Sequence, residues 1–385
     1  MHCQYTLRIY RDLINMLSKS KVGVVTWCKS RNYGTNLQAF ALINKLRDLG
    51  YESFLIEPFD RQCFSWKSTI KYYLKNAGLL DLINRPKTLD VQGYKLSEFM
   101  IEDIPQKQVY THKEYQKLLL DFKVFISGSD QIWNPNYVNE FQLLGFATNC
   151  KKIAYASSIG TSMIPDDKKE LYINNLSGFD HISLRESTGA RIISELLPEK
   201  NPRTVLDPTF LLEPEEWTAF GKKGVLEFVL PARYLLVYLI GNQSFYSDYI
   251  KNIASHYDDI PIIIIKSIEN EGFNIEGAIN YQDAGPREFV KLISYATAVC
   301  TDSFHACAIS INLSKQFVVL KRHSDETLES QNSRIYDLLT HFNLSDRLFD
   351  SINARLNEIN YTDISCQLRN ERSECINYLQ NSIEH

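Results

Sequence analysis

A predicted strand meets a predicted helix in the stretch Ala298-Val299-Cys300-Thr301-Asp302-Ser303-Phe304-His305. An apolar run leads into Asp302, and the small apolar residues from Ala306 onward predict the start of a packed helix. Asp302, Ser303 and His305 therefore fall at a strand-to-helix junction. In an open α/β sheet, a junction of this kind is where ligands bind.

The junction suits both an anion and a proton-transfer group. A helix start presents unpaired backbone N–H groups and a partial positive charge, so Ser303 and the N–H groups after it are predicted to bind an anion. His305 titrates near neutral pH and is a candidate proton donor or acceptor. A second interpretation stays open, in which Ser303 or Asp302 only caps the helix and His305 is a structural histidine.

Length, charge and cysteine spacing limit the classes of protein to which this chain can belong. A chain of 385 residues predicts two domains rather than one. The formal net charge of −4 gives no overall basic field, so a general nucleic-acid-binding role is not expected. Eight cysteines occur without a Cys-x-x-Cys pair, which predicts neither a zinc site nor a disulfide framework. No cluster of carboxylates or histidines predicts another metal.

The N-terminal residues and the apolar runs bear on location. Residues 1–20 carry charges throughout, which is not the pattern of a secretory signal. No apolar run reaches the length of a membrane span. We therefore expect a cytoplasmic protein.

Strands and helices alternate along most of the chain, which is typical of parallel sheets covered on both faces. The pattern predicts a doubly wound, Rossmann-like α/β domain over residues 21–215 and a second one over 216–345. Residues 1–20 are predicted to be an amphipathic helical extension, about 61–116 a helical insertion, and 346–385 a charged helical tail. Two such domains form a cleft between their strand ends.

The first polar loop follows the predicted strand Lys21–Trp27. It places Asn32, Gly34 and Asn36 at the amino end of a helix, where they are predicted to hold an anion or sugar hydroxyls. Its glycine spacing is not that of a dinucleotide-binding loop.

The second polar loop follows the predicted strand Phe122–Ser127. It offers donors and acceptors from Ser129, Asp130 and Gln131 beside the flat face of Trp133, which we expect to be exposed. This grouping is typical of a carbohydrate platform. Helix capping by Ser129 or Asp130 is the alternative.

Two arginines are candidate anion ligands. Arg185 ends a predicted strand, and its planar fork suits a carboxylate or a phosphate; a surface ion pair with Glu186 or Glu215 is the alternative. A further strand is predicted over Val205–Thr209. Arg334 begins a later helix and faces either solvent or the cleft.

Six segments occur in order along the chain: Asn32–Leu42, Ser127–Pro135, Ala154–Gly160, Ser183–Glu186, Leu206–Thr209 and Thr301–His305. Together they resemble the polysaccharide pyruvyl transferase family, and the resemblance covers about residues 21–345. It implies a GT-B-like fold, in which two Rossmann-like domains face a cleft. Ala306 stands where that family usually has glycine, which alters the helix packing slightly and leaves His305 in place.

The resemblance also implies an activity, namely transfer of the pyruvyl group of phosphoenolpyruvate onto two hydroxyls of a sugar in a surface-polysaccharide precursor. His305 would be the general acid or base, and Arg185 would hold the donor carboxylate or phosphate. The other implied donor-binding residues are Ser303, Asp302 and Arg334, and the acceptor-binding residues are Asn32, Gly34, Asn36, Ser129, Asp130, Gln131 and Trp133. Phosphoenolpyruvate is then a co-substrate, and neither a cofactor nor a metal is needed. A lipid-linked acceptor would bring the protein to the inner face of the membrane.

Two other functions fit the same pattern. A nucleotide-sugar glycosyltransferase would share the cleft, with an acidic residue such as Glu326 or Glu329 holding a ribose. A non-catalytic saccharide-binding subunit of a polysaccharide assembly complex would bind sugar without turnover.

Overall fold

The computed structural model describes residues 20–59, 70, 90–322, 333–349 and 356–385. The predicted N-terminal extension lies outside the described residues apart from Ser20. The predicted insertion is described only at Ile70 and from residue 90 onward. Glu326 and Glu329 also lie outside the described residues.

The first sheet contains seven strands, which in chain order are β1 (Lys21–Val25), β2 (Glu52–Ile56), β3 (Gln106–Lys107), β4 (Phe122–Ser127), β5 (Lys151–Ser157), β6 (His181–Leu184) and β7 (Arg203–Thr204). They pair in parallel in the order β3-β2-β1-β4-β5-β6-β7. The strand order reverses beside β1, so a crevice opens at the carboxyl ends of β1 and β4.

The second sheet contains five strands, which are β8 (Leu235–Tyr238), β9 (Ile262–Ile265), β10 (Ile279–Tyr281), β11 (Ala298–Thr301) and β12 (Gln316–Val319). They are also parallel, in the order β10-β9-β8-β11-β12. The order again reverses, here between β8 and β11. The junction after β11 therefore lies at the crevice of this sheet, as the sequence predicted.

The described helices are α1 (Tyr33–Asp48), α2 (Val91–Glu102), α3 (His112–Asp121), α4 (Asp166–Leu176), α5 (Ser187–Leu196), α6 (Pro214–Lys222), α7 (Tyr246–Ser255), α8 (Pro286–Tyr295), α9 (Phe304–Asn312), α10 (Ser333–His341) and α11 (Tyr361–Glu384). Helix α1 begins where it does because the Asn32 side chain accepts a hydrogen bond from the N–H of Gly34. Within the described ranges, no helix has both the length and the apolar composition of a membrane span.

The predicted strand over Val205–Thr209 is wrong, because β7 ends at Thr204. A short 3-10 turn follows at Pro208–Phe210, and the carboxylate of Asp207 accepts a hydrogen bond from the N–H of Thr209. Proline has no N–H to pair with a neighbouring strand, and the aspartate bonds locally, so the chain turns here.

The described part of the predicted insertion continues the sheet pattern. Helix α2 confirms its helical character, but the short strand β3 was not predicted and pairs with β2 at the sheet edge. With α2 as the crossover between them, these residues extend the first sheet.

The two sheets are joined by a shared core. Tyr33 of α1 is buried and stacks on Phe289 of α8 with ring centres 4.6 Å apart, and its hydroxyl donates to the carbonyl of Ala284. Helix α11 returns to the first half, where Arg372 donates to the carbonyl of Phe210. The predicted fold, two doubly wound sheets in a GT-B-like arrangement with a C-terminal helix, is confirmed.

Candidate active site

His305 is the second residue of α9, and it reaches from the second half of the molecule to the first. It is only 6% exposed, and its imidazole lies against the backbone of Gly34 at the start of α1. A Cβ added to Gly34 would lie 2.2 Å from Nδ1 and 2.6 Å from the Cβ of His305. Gly34, predicted to bind the acceptor, is therefore the residue whose lack of a side chain lets the imidazole enter.

The other imidazole nitrogen faces two residues of the first half. Nε2 of His305 lies 3.3 Å from Nη1 of Arg185 and 3.7 Å from Oδ2 of Asp207. Nη1 of Arg185 in turn donates to Oδ2 of Asp207 at 3.0 Å. The structure thus brings together the two predicted catalytic residues and adds a carboxylate that the sequence analysis had not singled out.

Asp207 is fully enclosed by hydrogen-bond donors. Ser129 Oγ donates to Oδ2 at 2.7 Å, and Thr209 donates to Oδ1 through both its N–H and its hydroxyl. Burial alone would raise the pKa of Asp207, but His305, Arg185 and these donors lower it to about 2. Asp207 is therefore a permanent anion at neutral pH. Ser129, predicted to contact the acceptor, instead orients this anion.

Arg185 is buried and still has unused donors. Its Nε and Nη2 make no hydrogen bond within the described part of the chain, although carboxylate oxygens of Glu186 and Asp130 lie 3.8 and 3.9 Å away. Burial would lower the pKa of Arg185, but Asp207, Asp130 and Glu186 raise it, so the guanidinium keeps its charge. The ion pair with Glu186 considered for Arg185 is present at 3.8 Å, but it is buried rather than at the surface.

The charge state of His305 follows from the same surroundings. Burial lowers the pKa of the imidazole and Arg185 and Arg334 lower it further, while Asp207 and Asp130 oppose them; the net direction is downward. At neutral pH the imidazole is therefore neutral. A neutral imidazole 3.7 Å from a carboxylate is able to accept a proton from a bound hydroxyl.

His305 forms part of the wall of a cavity of about 370 Å³ between the two halves. The predicted site residues that line it are Asn32, Asp130, Gln131, Ser303, His305 and Arg334. A second cavity of about 400 Å³ is lined by Arg185, Asp207 and Arg334, among others. Phe304 and Arg334 line both cavities, and the ring of Phe304 lies 4.3 Å from the guanidinium carbon of Arg185.

The region around Arg334, which lines both cavities, has features that suit an anion. Ser303 is the residue immediately before α9, and its side chain makes no capping hydrogen bond to that helix. Loss of hydration and the nearby charge of Arg185 lower the pKa of Arg334 to about 9. When the Gln131 amide is oriented so that its oxygen accepts from Arg334, that oxygen lies 2.9 Å from Nη2. Two guanidinium groups that disfavour each other's charge are stabilised when an anion lies between them.

Asp302 does not line either cavity. Its carboxylate accepts hydrogen bonds from the N–H groups of Ile240 and Gly241, at 2.8 and 2.7 Å, and from the hydroxyl of Tyr246. It thus ties the end of β8 to the end of β11. This geometry fits a structural role rather than the predicted contact with the donor.

Trp133 was expected to be an exposed ring, and that expectation is wrong. The indole is fully buried, donates through Nε1 to Ser127 Oγ at 2.9 Å and packs edge-on against Phe179. A buried ring has no face for a sugar. Asn36 is also buried, and its amide bonds to the backbone of Ser30, which closes its own loop.

Among the residues at the site that were not predicted, Trp27 and Asp207 matter most. Trp27 is partly exposed, lies just beyond the end of β1 and lines the first cavity. Its position at the carboxyl end of a central strand was the available signal. Asp207 lies in one of the segments that resemble the family. It was not predicted as a site residue because this segment was predicted to be a strand.

The sequence matches the family model for polysaccharide pyruvyl transferase over residues 32–324, which is more than half of the chain. No curated protein matches it. Among solved structures, it is similar to UDP-GlcNAc 2-epimerase from Neisseria meningitidis bound to UDP-GlcNAc, at 10% identity and a TM-score of 0.44, with 91% of this chain and 100% of that one covered. It is also similar to a glycosyltransferase from Rickettsia africae, at 10% identity and a TM-score of 0.46, with 94% and 100% covered. For the ADP-heptose lps heptosyltransferase II of E. coli, the values are 11% identity, a TM-score of 0.37, and 94% and 99% covered.

Proposed function

Because the chain belongs to the polysaccharide pyruvyl transferase family, we propose that it transfers the pyruvyl group of phosphoenolpyruvate onto two hydroxyls of a saccharide. The product is a pyruvate ketal on a surface-polysaccharide precursor, and phosphate is released. One observation carries the proposal. His305 of the second half lies 3.3 Å from Arg185 of the first half, in the wall of a cavity between the halves.

The reaction has a definite proton balance. One acceptor hydroxyl adds to C2 of phosphoenolpyruvate while C3 gains a proton and becomes a methyl group. The bond between C2 and the phosphate oxygen then breaks, and the second hydroxyl adds to C2 and loses its proton. One proton therefore moves from an acceptor oxygen to carbon, and the other leaves with phosphate.

His305 is the group we assign to the first of these transfers. Its neutral imidazole accepts the proton of the incoming hydroxyl. The imidazolium then has a lowered pKa, since burial disfavours its charge, and this makes it a stronger acid toward C3. Asp207, 3.7 Å from Nε2, stabilises the imidazolium while it lasts.

Arg185 and Arg334 are the groups we assign to the donor. The unused N–H groups of Arg185 have the planar geometry that a carboxylate or phosphate accepts. Arg334 gains from a neighbouring anion, because its own charge is disfavoured by Arg185. Ser303 and the first N–H groups of α9 add donors for the phosphate. Charge held in place before the reaction stabilises the phosphate as it leaves.

The scheme uses no metal and no cofactor other than the co-substrate. The proposed acceptor is lipid-linked, and the proposed protein is cytoplasmic and acts at the inner face of the membrane. Asn32, Asp130 and Gln131 are the residues we assign to acceptor hydroxyls, because their side chains line the cavity next to His305.

The test is phosphate release from phosphoenolpyruvate in the presence of lipid-linked saccharides, with nucleotide sugars supplied to parallel reactions. We expect phosphoenolpyruvate to be consumed only when a saccharide is present, and His305→Ala to abolish release. His256→Ala is the matched control, because His256 is exposed and lies at the end of α7. Consumption of a nucleotide sugar instead, or full activity in His305→Ala, would refute the proposal.

A further inference from the structure

Trp27 lines the cavity that contains His305. It is partly exposed and follows β1 directly, at the crevice where the first sheet reverses its strand order. A second ring lies beside it: Tyr137 is 60% exposed, and the two ring centres are 5.8 Å apart at 70°. Two accessible aromatic rings therefore stand together on the first half of the molecule.

The backbone at Trp27 is held by hydrogen bonds from neighbouring side chains. Gln38, inside α1, donates to the carbonyl of Trp27 at 3.0 Å, and Thr26 donates to the carbonyl of Ser129 at 2.8 Å. These bonds fix the end of β1 against the loop that follows β4. A tryptophan whose backbone is already fixed loses less conformational freedom when a ligand covers it.

The buried Trp133 fixes the loop that carries Tyr137. Its carbonyl accepts a bond from the hydroxyl of Tyr172, and its N–H donates to the carbonyl of Ser158. Tyr137 then follows in a turn closed on Asn134. The tryptophan of this loop therefore acts as an anchor, and the tyrosine four residues later is the ring that faces outward.

The other residues that line this cavity indicate what kind of ligand suits the two rings. Asn32, Thr35, Asp130 and Gln131 line the same cavity, and all four have polar side chains able to bond hydroxyls. An aromatic face beside a row of hydroxyl-binding groups matches a pyranose ring, which has C–H groups on its faces and hydroxyls around its edge.

We propose that Trp27 and Tyr137 form the platform for the acceptor saccharide. An apolar face of a pyranose rests on Trp27, the nearly perpendicular ring of Tyr137 contacts its edge, and its hydroxyls are directed to Asp130 and Gln131. This inference rests on the proposed function, because the ligand is the acceptor of that reaction. It differs from the sequence-based prediction, which gave the platform role to Trp133.

Intrinsic fluorescence tests the inference without turnover. The chain has four tryptophans. Trp133 and Trp217 are fully buried, so added sugar has little effect on their emission. Trp66 lies outside the described residues, and its emission is present equally in the unmodified protein and in Trp27→Phe. The probes are methyl β-D-galactopyranoside, methyl β-D-glucopyranoside and methyl α-D-mannopyranoside. We expect at least one to change the emission of the unmodified protein in a saturable way, and the change to be absent in Trp27→Phe. An equal change in Trp27→Phe, or no change with any probe, would overturn the inference.

Kinetics separate the platform from the chemistry. Trp27→Ala and Tyr137→Ala are expected to raise the KM for the saccharide roughly tenfold and to leave the KM for phosphoenolpyruvate unchanged, while Trp27→Phe keeps most of the affinity. Tyr295→Ala, at a half-exposed tyrosine at the end of α8, is the matched control. Because Tyr137 is largely exposed, its variant tests the proposal even if Trp27→Ala is unstable.

The two proposals fail in different ways. If the protein releases phosphate from phosphoenolpyruvate and both alanine variants keep the normal KM for saccharide, the platform is wrong and the proposed function stands. If sugars change the emission of Trp27 but phosphoenolpyruvate is never consumed, the platform stands and the proposed function is wrong.

Discussion

Replacing Gly34 by alanine tests the contact on which the site depends. The new Cβ would lie 2.2 Å from Nδ1 of His305, whereas unbonded heavy atoms rest at about 3.5–4.0 Å. The imidazole must therefore move by more than about 1 Å. The ring cannot simply rotate away, because the new atom would also lie 2.6 Å from the Cβ of His305 and press on the start of α9.

A displacement of this size has a large effect on turnover and a smaller one on stability. Misplacing a catalytic group by about 1 Å costs roughly 100-fold in rate, so we expect kcat for phosphate release to fall by about that factor. Overpacking destabilises by about 1–3 kcal/mol, partly offset by the higher helix propensity of alanine, up to about 1 kcal/mol.

The assay is phosphate release combined with thermal unfolding. Gly272→Ala is the matched control, since a Cβ there meets no atom within 4 Å, and it should change neither quantity much. Normal turnover and an unchanged Tm in Gly34→Ala would mean that the imidazole does not lie against α1, and the placement of His305 would be refuted.

Three further predictions concern protonation and packing. The pKa of His305 is lowered by burial, so activity should rise with pH through an inflection below the usual histidine range; an inflection above that range in the kcat/KM profile would exclude a neutral His305 as the base. Asp207 has a pKa lowered to about 2, so it contributes stability above its unfolded pKa of about 3.9 and loses it as the pH falls toward 2; unfolding measured against pH should show a loss of about 2–3 kcal/mol that is missing in Asp207→Asn. Trp133→Ala should lower the free energy of unfolding by about 3–5 kcal/mol, while Trp133→Phe should leave the KM for saccharide unchanged; a raised KM in the stable Trp133→Phe protein would restore a direct contact with sugar.

The alternation of strands and helices was predictable because each half is built from local patterns. The apolar run before Asp302 and the helix after it are both where the sequence placed them, so His305 was found at a crevice. Short edge strands such as β3 carry too few residues to form a pattern.

Exposure was harder to predict than position, because neighbours distant in sequence decide it. Trp133 and Tyr137 lie in one loop. Trp133 is the covered ring because Tyr172 of α4 and Phe179, which follows that helix, pack against this residue. Asp302 is another case: its partners Ile240 and Gly241 follow a strand more than 60 residues earlier, and nothing local marks the carboxylate as occupied.

The dipeptide Tyr33-Gly34 limits which second halves from other proteins can be joined to the first half of this chain. The tyrosine inserts into the aromatic cluster of α8, and the glycine beside it leaves room for the imidazole of α9. A chimera that joined the first half of this chain to the second half of another family member would need both a flat partner for the ring and a histidine of matching reach. Exchanging halves without those two matches would misalign the catalytic groups even where each sheet folds well.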